Sequence, residues 1–197
     1  EGEVLRLTEL GLADFDEATL SAAAATLRGE GHDVTEAPVD VSERASVAAL
    51  ADTATGLGRI THIAHTAGLS PVQAPTEAVL RVDLLGVALV LEVFGAVVEP
   101  GGAGVVIASM AGHMGAALPA DQEKALAVTP ADDLLGLPFL APDALGHPAL
   151  AYVIAKRANA LRVQAAAAVW GARGARINSI SPGVISTPMG QEELSGD

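Results

Sequence analysis

Cysteine is absent from this chain, which excludes disulfides and thiolate-held metals and leaves the redox compartment undetermined. Aromatic residues make up only 3% while 50% of residues are apolar, so a core must be built from Ala, Val, Leu and Ile. Such side chains suit helices packed closely on a sheet. Positive charge is scarce: 11 Lys and Arg stand against 24 Asp and Glu, a net charge of −13 that argues against nucleic acid or an anionic membrane as partner. No apolar run has the length of a membrane span, and Glu1-Gly2-Glu3 does not open a secretion signal. A soluble, cytoplasmic protein is the simplest expectation. His62, His113 and His147 lack ligand-like spacing, so no metal site is expected.

What is present is a regular alternation of short apolar runs and longer amphipathic ones. Strands are expected to end at Asp14, near Val39, at His65, at Ala108 and at Ile180. Helices are expected over Glu17 to Arg28 with Asp16 as cap, over Glu43 to Thr55 capped by Ser42, over Thr76 to Val98, and over Ala149 to Trp170. Strands alternating with helices imply a parallel sheet with right-handed crossovers, a doubly wound α/β domain of three layers. The 197 residues fit a single domain, or the greater part of one. Ligands of such sheets bind beyond the carboxyl ends of the strands. Asp14, Asp40, Thr66-Ala67-Gly68, Ser109 and Ser181-Pro182-Gly183 all fall there.

Tyr152 and Lys156 stand four apart at the start of the last long helix, one above the other on one face. A nearby cation favours a phenolate and makes the tyrosine a usable proton carrier near neutrality. A generic Y-x-x-x-K is most often a half-buried Tyr beside a solvated Lys. With one Tyr and two Lys in the chain, the spacing arises by chance roughly once in a hundred such sequences.

Together, Asp40-Val41, Thr66-Ala67-Gly68, Ser109, Tyr152 with Lys156, and Asn178 through Thr187 resemble the classical short-chain dehydrogenase/reductase family, in order and over nearly the whole chain. The resemblance implies a Rossmann-like fold and an NAD(P)-dependent enzyme interconverting a secondary alcohol and a ketone. Ser109 would hold the substrate oxygen, Tyr152 would carry its proton, and Lys156 would lower the Tyr152 pKa and grip the nicotinamide ribose. Asp40 and Val41 would lie at the adenine, Thr66, Ala67 and Gly68 along the cofactor, and Pro182, Gly183, Ile185 and Thr187 at the nicotinamide. Asp14, or Glu9 as a rival, would hold the adenine ribose and favour NAD over NADP. Two other readings stay open: a dinucleotide-binding regulatory protein without turnover, and an epimerase or dehydratase of the same family.

Three departures qualify the resemblance. The Gly-rich phosphate turn expected before Asp14 and the family's last elements expected after Asp197 are not in the sequence, so a fragment, or a sequence whose ends were not all recorded, is expected. By the family's layout the natural protein should start about twenty residues earlier, with a strand lying between those ending at Asp14 and His65. Asp83 stands where the family often has an Asn that holds a water near the Lys, and His65 where it often has another Asn, offering backbone more than its ring. Ser109 and Tyr152 are 43 positions apart, so 114–148 reads as an inserted lid or interface element, as in some bacterial hydroxysteroid dehydrogenases and carbonyl reductases of the family. Ser70, Met110 and His113 would help shape the pocket for a small alcohol or ketone, with apolar substrates among the candidates. The family's habit of pairing the Tyr-bearing helix and its neighbour across a two-fold axis implies a homodimer or homotetramer, with Trp170 near the contact.

Overall fold

Asp16 starts the first helix as the sequence predicts: its carboxylate accepts the Thr19 N–H at 2.6 Å, and the chain turns into the helix from a strand. The structure, a computed structural model, describes residues 9–72, 74–115, 117–187 and 191. Strand β1 (Leu10–Asp14) leads through α1 (Glu17–Gly29) to β2 (Val34–Pro38), and the two strands pair in parallel from Leu10 opposite Val34 to Asp14 opposite Pro38. Helix α2 (Arg44–Leu57) begins later than expected. Ser42 does not cap it, because its hydroxyl donates to Asp40 Oδ1 at 2.7 Å and is held in the preceding turn. Strand β3 (His62–His65) is followed by an expected single helix that is in fact composite: α3 (Thr76–Val79), a π-helical stretch (Leu80–Gly86) and α4 (Val87–Val97). Strand β4 (Ala103–Ile107), the 25-residue helix α9 (Pro148–Ala172) and β5 (Arg176–Ile180) complete the alternation.

All strand pairings are parallel, but the sheet is in two pieces: β1 with β2, and β3 with β4 and β5. Among the described residues β1 and β3 are not hydrogen-bonded to each other, and each keeps one unpaired edge. Strands of a doubly wound sheet are normally buried on both faces. Here Ala64 is exposed and Leu10, Leu12, Ala13 and Ile63 are only half-buried. Within each piece the carboxyl ends of the strands point the same way, as parallel pairing requires.

Between β4 and α9 the chain forms α5 (Ala111–Met114), α6 (Ala120–Val128), α7 (Ala131–Leu134), a 3-10 turn (Pro138–Leu140) and α8 (Pro142–Leu145). The segment is docked, not loose. Leu126, Leu134, Leu140 and Leu145 are buried in the same apolar cluster as α4 and α9. Buried Arg162 on α9 donates to the carbonyls of Leu126 and Thr129 at 3.0 and 2.9 Å. Glu92 on α4 accepts from the Ala131 N–H at 2.9 Å and pairs with Arg44 at 2.7 Å, while Arg44 also reaches Asp132 at 2.8 Å. Arg157 and Glu123 close the other end at 2.7 Å.

Residues 151–163 of α9 are buried or half-buried, packed against the sheet, α4 and the segment that includes α6. Trp170, placed near an external contact from the sequence, is 1% exposed, and its Nε1 donates to the Leu91 carbonyl at 3.2 Å. Its ring fills space left by Gly104, where a Cβ would stand 2.9 Å from Cη2. Among the described residues no helix is long and apolar enough to cross a membrane.

Replacing Arg162 with Leu strips the Leu126 and Thr129 carbonyls and Glu92 of a buried donor, so unfolding free energy should fall by about 2–4 kcal/mol. Hydrogen exchange should show residues 117–147 losing protection before β3, β4 and β5. Equal loss across the whole chain, or none, would show that Arg162 does not fasten the segment.

Candidate active site

The second turn of α9 carries Tyr152, and one turn on, the ammonium of Lys156 lies 5.4 Å from the centre of its ring, within cation–π range. Lys156 is 5% exposed. Its Nζ donates to the Ile107 carbonyl at 3.4 Å, which brings α9 to the end of β4, two residues before Ser109. The Ser109 Oγ accepts the Ala111 N–H at 3.2 Å, setting the side chain at the mouth of the sheet.

Asp83, fully buried in the π-helical stretch, faces this ammonium. Its Oδ1 accepts the Leu69 N–H at 2.8 Å and its Oδ2 lies 3.9 Å from Lys156 Nζ. The wider π turn interrupts the helix at a site residue, a common place for such turns. Gly68 eases this approach: a Cβ there would stand 3.1 Å from Asp83 Oδ1 and 3.2 Å from Lys156 Nζ, tight enough to shift one of them. Gly68 thus serves the Asp83–Lys156 pair, a reason that its place in the strand-end motif did not reveal. Burial pushes the Asp83 carboxyl up to about 6, and the Lys156 charge and the Leu69 N–H only partly oppose it.

His65, at the end of β3, is 7% exposed. Burial first, and then the charge of Lys156, lower its pKa to about 4, so the ring is neutral at pH 7. The sequence suggested a role for its backbone more than its ring, and only its neighbours show the ring to be part of the site. A histidine closing a short apolar strand was the available signal.

The remaining candidates spread along the strand ends. Asp14 closes β1 and its Oδ1 accepts the Asp16 N–H at 2.9 Å, on the exposed edge. Glu9 precedes the strand and accepts from Thr35 Oγ1 at 3.1 Å, so the rival falls at the amino end of β1, away from the site. Asp40 is occupied locally, accepting from the Ser42 N–H at 2.9 Å, and Val41 packs against Gly86 of the π turn. Thr66 and Ala67, just past the end of β3, are exposed. On the far side the Pro182 carbonyl accepts the Met110 N–H at 2.9 Å, His113 Nε2 and Ser181 Oγ are 3.0 Å apart, and Gly183, Ile185 and Thr187 are exposed. The site therefore joins Gly68, Asp83, Tyr152, Lys156 and the end of β4. Asp14 and Asp40 stand apart from it, on the other piece of the sheet.

Residues 136–197 match the family described as enoyl-(acyl carrier protein) reductase. The short-chain dehydrogenase/reductase bsc3 of Alternaria brassicicola is 41% identical over 182 residues, covering 92% of this chain and 66% of that protein. The chain belongs to the short-chain dehydrogenase/reductase family. Levodione reductase superposes with a TM-score of 0.73 at 25% identity, over 95% of this chain and 66% of that one. NAD+-bound xylitol dehydrogenase gives 0.72 at 21%, over 94% and 65%, and shows the common fold. The 3-alpha-hydroxysteroid dehydrogenase of Pseudomonas sp. B-0831, complexed with NADH, gives 0.66 at 22%, over 92% and 74%. The chain thus spans about two thirds of the length of the bsc3 relative, 66%. The doubly wound Rossmann-like architecture implied by the strand order is that of its relatives.

Asp83 and His65 make opposite contributions to stability. The folded-state pKa of Asp83, about 6, lies above its ordinary 3.8, so its contribution is fully present below pH 3.8 and is lost as pH rises through 6. That of His65, about 4, lies below its ordinary 6.5, so its contribution is present above pH 6.5 and is lost as pH falls through 4. Each shift corresponds to something on the order of 3 kcal/mol. Urea unfolding across this range should show Asp83→Asn gaining on wild type as pH rises, and His65→Asn gaining as pH falls. A pH-independent difference for either variant would show that its group titrates as if in water.

Proposed function

We propose that the protein is a nicotinamide-dependent oxidoreductase that interconverts a secondary alcohol and a ketone. The observation that carries this reading is the Tyr152 ring with the buried Lys156 ammonium 5.4 Å from its centre, at the end of the strand leading to Ser109. In alcohol oxidation the substrate hydroxyl gives its proton to Tyr152 Oη; in ketone reduction the same atom returns it. Lys156 stabilises the phenolate, and the Ser109 hydroxyl donates to the substrate oxygen. Asp83 balances the buried ammonium and holds it in place. A nicotinamide dinucleotide, when bound, supplies or takes up the hydride.

The strand ends fit such a cofactor in part. Asp14 and Asp40-Val41 suit the adenosine end, the exposed Thr66 and Ala67 with Gly68 leave backbone open to a ligand, and Lys156 suits the nicotinamide ribose, with Pro182, Gly183, Ile185 and Thr187 beside the ring. No Gly-rich turn of the kind that grips a pyrophosphate lies among the described residues. Support for NAD(H) comes from xylitol dehydrogenase, whose structure holds NAD+, and from the hydroxysteroid dehydrogenase complexed with NADH. The exposed Asp14 carboxylate favours NAD over NADP, because it accepts from ribose hydroxyls and repels a 2′-phosphate. Met110, Leu150, Val184 and Ile185, on the segments next to Ser109, Tyr152 and Pro182-Gly183, are 39%, 45%, 59% and 57% exposed, which suits an apolar alcohol or ketone. The chain reads as one dinucleotide-binding domain, with 114–148 a fixed cap on α9. A homodimer or homotetramer is the assembly expected from the family.

In the full-length protein, Tyr152→Phe should lower turnover by a factor on the order of hundreds or more with the fold intact, followed by nicotinamide absorbance with a panel of ketones and secondary alcohols. Lys156→Ala should weaken both turnover and cofactor affinity, and wild type should prefer NAD. Near-normal turnover in Tyr152→Phe would remove Tyr152 as the proton carrier; equal affinity for NAD and NADP would remove Asp14 as the selector.

A further inference from the structure

Between α5, the start of α6 and α9 lies a cavity of about 320 Å³, a size that holds small molecules. Its α9 wall is Leu150, Val153, Ile154 and Arg157, which recur at helical spacing and share one face. Tyr152 and Lys156 belong to a neighbouring face of the same helix. Gly112 of α5 rests on the Lys156–Arg157 peptide, where the two faces meet: a Cβ there would stand 2.6 Å from the Arg157 nitrogen. Just past α5, Gly115 lies as close to Val153, where a Cβ would be 2.6 Å from Cγ1. With no side chains at these two positions α5 comes down onto α9 and separates the cavity from the catalytic face. Three polar side chains interrupt the apolar lining. Arg157 and Glu123 are half-buried and joined at 2.7 and 2.8 Å, both contacts running to Glu123 Oε1. His113 Nε2 is 3.0 Å from Ser181 Oγ, just past β5. The imidazole has a second ring nitrogen to offer, and the guanidinium has N–H donors beyond those that Glu123 takes.

We propose that this cavity is a second ligand site, separate from the one at Tyr152, for an uncharged aliphatic or alicyclic molecule that carries a hydroxyl or carbonyl oxygen. The Glu123 carboxylate already matches the Arg157 charge, so an anion entering the cavity would find no net counter-charge. Among the described residues no Phe, Tyr or Trp lines it, so a flat ligand has no ring of that kind to stack on. An aliphatic body fills the space over Val153 and Ile154, and its oxygen accepts from Arg157 or bonds the His113 ring. Occupancy acts through α5, whose first residue stands two positions after Ser109. Filling the space behind α5 fixes the backbone that sets Ser109, and a ligand that draws on His113 also acts on Ser181, next to Pro182-Gly183. The site itself rests on none of the chemistry proposed above; only its consequence for Ser109 does.

The probe is 1-methylcyclohexanol, a tertiary alcohol with no hydrogen on its carbinol carbon and so no hydride to give. A crystal structure of the full-length protein soaked in it should show the ring over Val153 and Ile154, with its oxygen within about 3.2 Å of His113 or Arg157. A probe found only beside Tyr152 or not at all, a cavity filled by the protein's own residues, or binding at crystal concentration only would each overturn the proposal. Titration calorimetry is the second test. Val153→Phe, which fills the cavity while keeping Tyr152 and Ser109, should weaken binding by about tenfold or more. Leu118→Phe fills it from the approach to α6 and should do the same, whereas Tyr152→Phe should bind as wild type does. Unchanged affinity in both filled variants, each shown folded by circular dichroism, would overturn the site, as would loss of binding in Tyr152→Phe. Hydrogen exchange across 110–114 should slow when the probe binds, and no change there would remove the link to Ser109. No readout requires turnover, so failure of this site and failure of the proposed activity are told apart.

Discussion

The burial of the Lys156 ammonium at the carboxyl end of the sheet constrains much of what surrounds it. A charge that is 5% exposed must be met by polar groups, and two distant parts of the chain and its own helix supply them. The carbonyl of Ile107 ends the strand that leads to Ser109, the Asp83 carboxylate comes from a π-helical turn, and the Tyr152 ring comes from one turn earlier on the same helix. Gly68 is small because the pair lies against its Cα. The proton carrier, the strand end and the opposing carboxylate are therefore held relative to one another by one buried cation.

The second constraint is the way the long segment before α9 is fastened. Arg162, Glu92 and Arg44 join α9, α4 and α2 to the backbone and side chains of residues 126–132, and four leucines of the segment complete the apolar core. A helix of mostly Ala and Val has little side-chain bulk with which to exclude water, and the cap supplies it. The buried stretch of α9 includes Tyr152 and Lys156, so the cap also stiffens the helix from which the site projects.

The two-piece sheet shows which parts of the fold stand on their own contacts. β3, β4 and β5 are paired and backed by α4 and α9, and the site is built on them. β1 and β2 are held chiefly by each other and by α1. The residues suited to the adenosine end of a dinucleotide therefore sit on the less supported piece, while those suited to the nicotinamide end sit on the better packed one.

Local chemistry made much of this legible in the sequence. Periodicity and turn residues gave the order of strands and helices, Asp16 announced its helix, and Tyr152 and Lys156 had to share a face because a helix repeats every 3.6 residues. Asp14, Thr66 and Ser109 could be placed at strand ends for the same reason, and parallel topology then put them on one edge. Ser42 misled because a serine before a helix can bond backward as readily as forward, and Asp40 was there to receive it. What only the tertiary structure decided depends on burial by residues far apart in the chain: Trp170 turned inward, Arg162 became a clamp, Gly68 gave room to a carboxylate and a lysine, and His65 became part of the site by its ring. Spacing along a chain fixes which side chains share a face; it does not say what will cover that face, and it is the covering that sets their charge and their chemistry.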